Sequence, residues 1–224
     1  MKRVTSPELL DTDSGTSAEI ADSLADLRRI NCWFGGNATT QSLIEHVARE
    51  INAQSLSLLE VAAGAGAVPE EARAGLRRSG IRVDVTLLDR APSHLGNGSG
   101  DGGRAVAGDA RALPFKDGSF DLVSCCLFAH HLAPLELVQF VKEGLRVCHR
   151  AVLINDLVRH PLHLALVYAG WPLYRSRITR HDAPASVRQS YTPVEMRELL
   201  QATGATRIEM QRHYLFRMGV VVWK

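Results

Sequence analysis

Two spacings of apolar residues alternate along this chain of 224 residues. Short, nearly continuous apolar runs at 57–62, 82–88, 105–108, 121–127 and 151–156 predict strands. Helical spacing predicts helices at 69–79 and 134–147, and two more upstream at 18–30 and 40–52. Ile20, Leu24 and Leu27 share the apolar face of the first upstream helix. Residues 1–16 lack either pattern and are expected to fray. Repeated strand–helix order predicts an α/β fold, a doubly wound, mostly parallel seven-stranded sheet with helices on both faces. The end of the chain differs: 206–211 and 216–223 read as strands separated by only a few residues. So short a connection forces an antiparallel C-terminal hairpin. There is no internal repeat.

Composition narrows the class without naming a function. With 46% apolar and 22% charged residues, the chain has ordinary globular usage and length enough for a substantial core. A net charge of +2 gives no argument for nucleic acid or for an anionic membrane surface. Cys32, Cys125, Cys126 and Cys148 form no C-x-x-C pair and read as reduced thiols of a cytoplasmic protein. The first residues are polar and acidic, unlike a secretory signal. The longest apolar tract, 162–174, contains His163 and Pro172 and is too short for a transmembrane segment. The glycine-rich stretch 96–103 reads as a flexible connection.

Chemistry enters at Ser57-Leu-Leu-Glu-Val-Ala-Ala-Gly-Ala-Gly-Ala-Val-Pro69. An apolar run ends on Glu60, turns through Gly64 and Gly66, and restarts at Pro69 with Glu70 and Glu71, which reads as strand, turn and helix. The glycines permit a tight turn and close ligand approach, and Pro69 suits the first helical position. Free N–H groups at the helix start can hold a carboxylate. Asp89 ends the next strand. A dinucleotide would bring a pyrophosphate to this turn, where extra carboxylates repel it. S-adenosylmethionine carries an ammonium and a sulfonium, which acids favour. The turn therefore fits a cationic cofactor.

The run Val106-Ala-Gly-Asp-Ala-Arg-Ala-Leu-Pro-Phe-Lys-Asp-Gly-Ser-Phe-Asp-Leu-Val123 resembles class I S-adenosylmethionine-dependent methyltransferases. It is similar to the small-molecule branch containing the ubiquinone/menaquinone-biosynthesis (type 11) enzymes, over roughly 56–158 and the closing hairpin. The resemblance implies a Rossmann-like methyltransferase fold with S-adenosyl-L-methionine as cofactor. It implies that Glu60, Ala62, Gly64 and Gly66 wrap the methionine part, and that Asp89, with Arg90 beside it, pairs with the ribose hydroxyls. It assigns the adenine amino group to Asp109 and a nearby backbone N–H to Ala110. The family usually has glycine in place of Ala62, where alanine in a strand conformation is expected only to alter packing. Bland readings stand beside these: Asp89 as a turn acid, and Asp109 as the cap of the turn that follows it.

The acceptor is less defined. Cys125-Cys-Leu-Phe-Ala-His-His-Leu132 lacks the Asn/Asp-Pro-Pro-aromatic motif of nucleic-acid amine methylation, and no basic stripe points to nucleic acid. Metal-dependent catechol methylation would need an acid at the end of the fourth strand and Asp-Asn after the fifth; here the fourth ends in Ser124 and cysteines and the fifth carries Asn155-Asp156, so no metal is assigned. His130 and His131 are candidate bases for a phenol or enol, with helix-start hydrogen bonding as the alternative. Residues 162–174 predict an apolar helix within a lid insertion at about 159–192, over a substrate pocket including Phe34, Phe128, His160, Trp171 and Tyr174. The competing reading is an extra core helix. The expected organisation is N-terminal helices at 1–55 covering the site and a catalytic core at 56–224. The expected reaction is O-methylation of a small apolar acceptor that is phenolic, polyketide-like or a quinone precursor. A catalytically silent cofactor-binding module and a nucleotide-dependent oxidoreductase are the alternatives, and a homodimer is left open.

Overall fold

The computed structural model describes residues 1–12, 14–92, 95 and 104–224; the glycine-rich stretch 96–103 lies outside them. Helices α1 (Ser17–Trp33) and α2 (Gly36–Glu50) precede β1 (Ser55–Val61), α3 (Ala67–Arg78), β2 (Arg82–Asp89) and β3 (Arg104–Ala107). Then come β4 (Phe120–Cys126), α4 (Pro134–Val147), β5 (Cys148–Leu157), α5 (Pro161–Ala169), α6 (Arg177–Gln189), α7 (Pro193–Gln201), β6 (Arg207–His213) and β7 (Arg217–Trp223). The strands form one sheet in the order β3-β2-β1-β4-β5-β7-β6. β1 to β5 pair in parallel, and β7 pairs antiparallel with both β5 and β6. Strand order reverses between β1 and β4, and the crevice above such a switch point is where open α/β sheets bind ligands.

Successive side chains leave opposite faces of a strand, so neighbouring residues serve different cores. Leu58, Leu122 and Leu153 pack with Leu43, Ile44 and Val47 of α2 and Leu76 of α3 on one face. Leu59, Val123 and Ile154 pack on the other with Phe140 and Val141 of α4 and Met196 of α7. Thr192 caps α7 in a reciprocal box with Glu195, with Pro193 in the first turn, as its sequence signature requires.

Three expectations change. Pro69 sits third in α3, because Gly66 in left-handed backbone (φ 73°) already starts the helix at Ala67. The helix expected over 162–174 stops at Ala169 and is followed by a 3-10 turn at Trp171–Leu173. Residues 1–12 do not fray. Arg3 donates to the carbonyls of Gln189, His130 and Leu132 and lies over the Tyr191 ring, while Asp182 accepts from the N–H groups of Leu9 and Leu10. Polar anchors, rather than apolar periodicity, hold this strap. No described helix is long and apolar enough to cross a membrane.

Candidate active site

A cavity of about 860 Å³ opens above the switch point. Its first end is built by the tips of β1 and β2. Val61 ends β1, and the chain turns through Ala62, whose φ of 54° is left-handed rather than extended. This corrects the strand conformation expected there: Ala62 occupies a backbone that favours glycine, at a cost of about 1–2 kcal/mol. Gly64 has φ 51°, and a Cβ there would meet nothing within 4 Å. At Gly66 a Cβ would come within 2.7 Å of Leu87 Cδ1, so that glycine is demanded by packing as well as by backbone.

Asp89 accepts from the N–H of Gly64 at 2.9 Å and of Ala91 at 3.0 Å, which ties the β2 tip to the glycine turn. Arg90 lines the cavity beside it. Asp109 is bound by Arg111 at 2.8 Å, and Arg111 also reaches Glu136 at 2.7 Å. That hydrogen bonding holds the Asp109 carboxyl down at about 2. Ala110 is buried in the same wall.

Glu60 is the informative group. Its side chain is 1% exposed, lines the cavity, and has an oxygen, Oε2, without a hydrogen-bond partner among the described residues. Burial pushes its carboxyl up to about 7, against a hydrogen bond with Ser124. Burial favours the protonated form of this acid, and a positively charged ligand in the cavity would favour the carboxylate instead. An orphaned carboxylate oxygen beside an open glycine turn fits the ammonium and carboxylate of S-adenosylmethionine.

The other end is assembled from distant segments. Phe34, Phe128 and Tyr174 line it, together with His163, Leu166 and Phe216. His160 and Trp171 do not. His160 caps α5, accepting from Leu162 N–H, and its ring stacks on Phe216; Trp171 donates to the Arg180 carbonyl and is 45% exposed. Asn155 and Asp156 are occupied elsewhere: Asn155 donates to the Gly36 carbonyl and Thr40, and Asp156 holds His130.

The two histidines sit in one charged network. His130 is buried, with Nδ1 2.6 Å from Asp156 and Nε2 3.6 Å from Glu8. His131 is less buried, with Nδ1 2.8 Å from Asp11 and Nε2 3.8 Å from Glu8. Burial opposes charge on His130, but Asp156 and Glu8 raise its pKa well above the ordinary imidazole range. Asp11 is held low, its burial outweighed by the bond to His131.

Sequence reasoning did not find Glu8 or Asp11, which lie in a segment without periodicity. It also missed Arg217, whose signal was an arginine opening an otherwise apolar strand. Arg217 is 2% exposed and donates to Asn155, Asn31 and the Phe34 carbonyl.

Sheet order, switch-point cavity and acidic glycine turn together define the class I S-adenosylmethionine-dependent methyltransferase fold. Residues 59–154 match the family model described as Methyltransferase domain. Residues 59–154 thus form an S-adenosylmethionine-dependent methyltransferase domain. No curated protein matches it. Among solved structures it is similar to human N-acetylserotonin methyltransferase in complex with SAM, at TM-score 0.62 and 16% identity over 88% of this chain. It spans 53% of that protein, about half its length. The plantazolicin methyltransferase BpumL with a desmethyl analogue and SAH is similar at TM-score 0.69 and 11% identity, over 93% of this chain and 92% of that one. Magnesium protoporphyrin IX methyltransferase from Synechocystis with bound SAH aligns at TM-score 0.55 and 15% identity, over 85% and 83%. At these identities the likeness is one of fold.

Proposed function

We propose that this chain methylates an oxygen of a small apolar acceptor that is phenolic, polyketide-like or a quinone precursor. The observation that carries this is one continuous cavity joining the acidic cofactor end to aromatic and aliphatic walls, with the Asp11–His131 pair in its lining.

When bound, S-adenosylmethionine supplies an electrophilic methyl on a sulfonium. Glu60 and the turn at Gly64 and Gly66 hold its methionine part, Asp89 its ribose, and Asp109 with Ala110 its adenine. His131 is the base: Nδ1 is fixed by Asp11, Nε2 stands 3.8 Å from Glu8, beyond hydrogen-bond reach, and takes the acceptor proton, and the Asp11 carboxylate stabilises the imidazolium that forms. His130, locked between Asp156 and Glu8, positions the strap and His131 rather than exchanging protons. Residues 1–55 and the segment 159–192 cover the site and exclude water, and much of the rate comes from aligning acceptor oxygen and methyl in line. The test is calorimetry with S-adenosylhomocysteine and NAD, then methyl transfer to a panel of lipophilic phenols read by mass. Binding of NAD in place of the sulfur nucleoside would overturn the reading. Cofactor binding without transfer to any phenol would leave a silent binding module.

A further inference from the structure

Helix α5 breaks the rule that a helix apolar on all sides is buried. Apart from His163 every residue of it is apolar, yet none is buried. One side lines the cavity through His163, Leu166 and Val167. The other leaves Leu162 55% and Tyr168 39% exposed, and Trp171 stands exposed in the turn that follows. Across the mouth, Trp33, Phe34, Tyr214 and Leu215 are exposed and line the same cavity. The entrance is therefore bordered on both sides by large apolar side chains in water, the signature of an interaction surface.

Charge identifies the partner. From residue 157 to 193 the only acid is Asp182, which is buried and spent on the N–H groups of Leu9 and Leu10. The same stretch exposes Arg175, Arg177, Arg180 and His181. Arg177 pairs with Glu19 on α1, while Arg29, also on α1, reaches the Leu173 carbonyl. The net charge of +2 conceals this asymmetry, because no exposed acid lies within that stretch. A two-fold contact between copies would bring this arginine-bearing face against an identical one, which disfavours a dimer through it.

We propose that α5 and the Trp171 turn dock on an anionic lipid bilayer. Their apolar side chains enter the boundary between headgroups and acyl chains, and Arg175 and Arg180 meet lipid phosphates. Tyrosine and tryptophan suit that depth, having an apolar body and a polar tip. The role of this docking rests on the apolar-acceptor reading: a mouth opening into the leaflet admits a lipophilic acceptor without a passage through water.

The test is flotation of the full chain with vesicles of phosphatidylcholine alone or with about 30% phosphatidylglycerol, at physiological and at high salt. The protein should float with the anionic vesicles, with a blue shift of tryptophan emission, and much less with neutral ones. Arg175→Glu with Arg180→Glu, and separately Leu162→Glu, should each lower partitioning about tenfold or more. Melting temperature and S-adenosylhomocysteine affinity should not change in either variant. Absence of flotation, or flotation indifferent to these changes, would overturn the docking. So would a dimer in light scattering that Leu162→Glu dissolves, or capture by an acidic protein in preference to vesicles. Calorimetry on the same samples separates the two ideas, since loss of the enzyme reading would show as failure to bind the sulfur nucleoside by a protein that still floats.

Discussion

The two ends of the cavity are built by different means. At the cofactor end, Glu60, Gly64, Gly66 and Asp89 come from consecutive strand tips, and the arrangement leaves a buried carboxylate oxygen unsatisfied. At the acceptor end, groups come from residues 3–12, α1, the segment after β4, α5 and β7, and the ionisable ones are tied to one another. Asp156, Glu8 and Asp11 hold His130 and His131, and Asp182 holds the strap. The first end presents a buried acid that a cationic ligand would pair, whereas the ionisable groups of the second pair with one another.

The largest expected effect tests that division. His131→Ala should lower kcat by about 10²–10⁴-fold, the range for a general base, with S-adenosylhomocysteine affinity unchanged. A matching fall in cofactor affinity would break the separation of the two ends.

Glu60 sharpens it next. Its carboxyl is raised from 4.5 to about 7, so the ligand-free fold binds more protons than the unfolded chain between those values. The group's contribution to stability is present below that window and is lost as pH rises through it, by about 3 kcal/mol. Glu60→Gln should therefore stabilise the ligand-free protein at pH 8, up to about 3 kcal/mol in urea unfolding, while weakening S-adenosylhomocysteine binding. Cofactor binding by the native protein should release a proton below about pH 7, seen as a buffer-dependent enthalpy. No gain in stability would mean that Glu60 has a cationic partner already.

Asp89→Ala should weaken S-adenosylmethionine binding by about 1.5–3 kcal/mol with the fold intact, the range for hydrogen bonds to a charged group. An unchanged dissociation constant would confine Asp89 to bracing Gly64. Smallest of all, Ala62→Gly should stabilise the protein by about 1 kcal/mol by relieving the left-handed alanine, measurable as a higher Tm. No change would show that the surrounding turn already absorbs the strain.

Legibility followed the same division. The bounds of α4 were readable in full and those of the parallel strands to within a few residues, because Pro134 marks a helix start and unbroken apolar runs mark buried strands. Glu60 and Asp89 could be placed at the ligand-binding edge of the sheet because one precedes the last residue of β1 and the other ends β2. Ala62 was recognised as a departure, but its conformation was not, since φ there is imposed by the turn between β1 and α3. Trp171 and His160 looked like pocket residues by composition. The early end of α5 turned Trp171 toward Arg180, and His160 was used as that helix's cap.

What the sequence determined by itself was local: the period of each element, the antiparallel closure forced by a short connection, and a glycine turn flanked by acids that suits a cation. Tertiary structure decided which distant groups share a cavity. Residues 1–12 carry no apolar periodicity, and only packing against α6, Tyr191 and the histidines gives them a place. The exposure of α5 is likewise a tertiary fact. Its residues would fit a core equally well by composition, and it is exposed because one side borders the cavity and no other described element buries the opposite side.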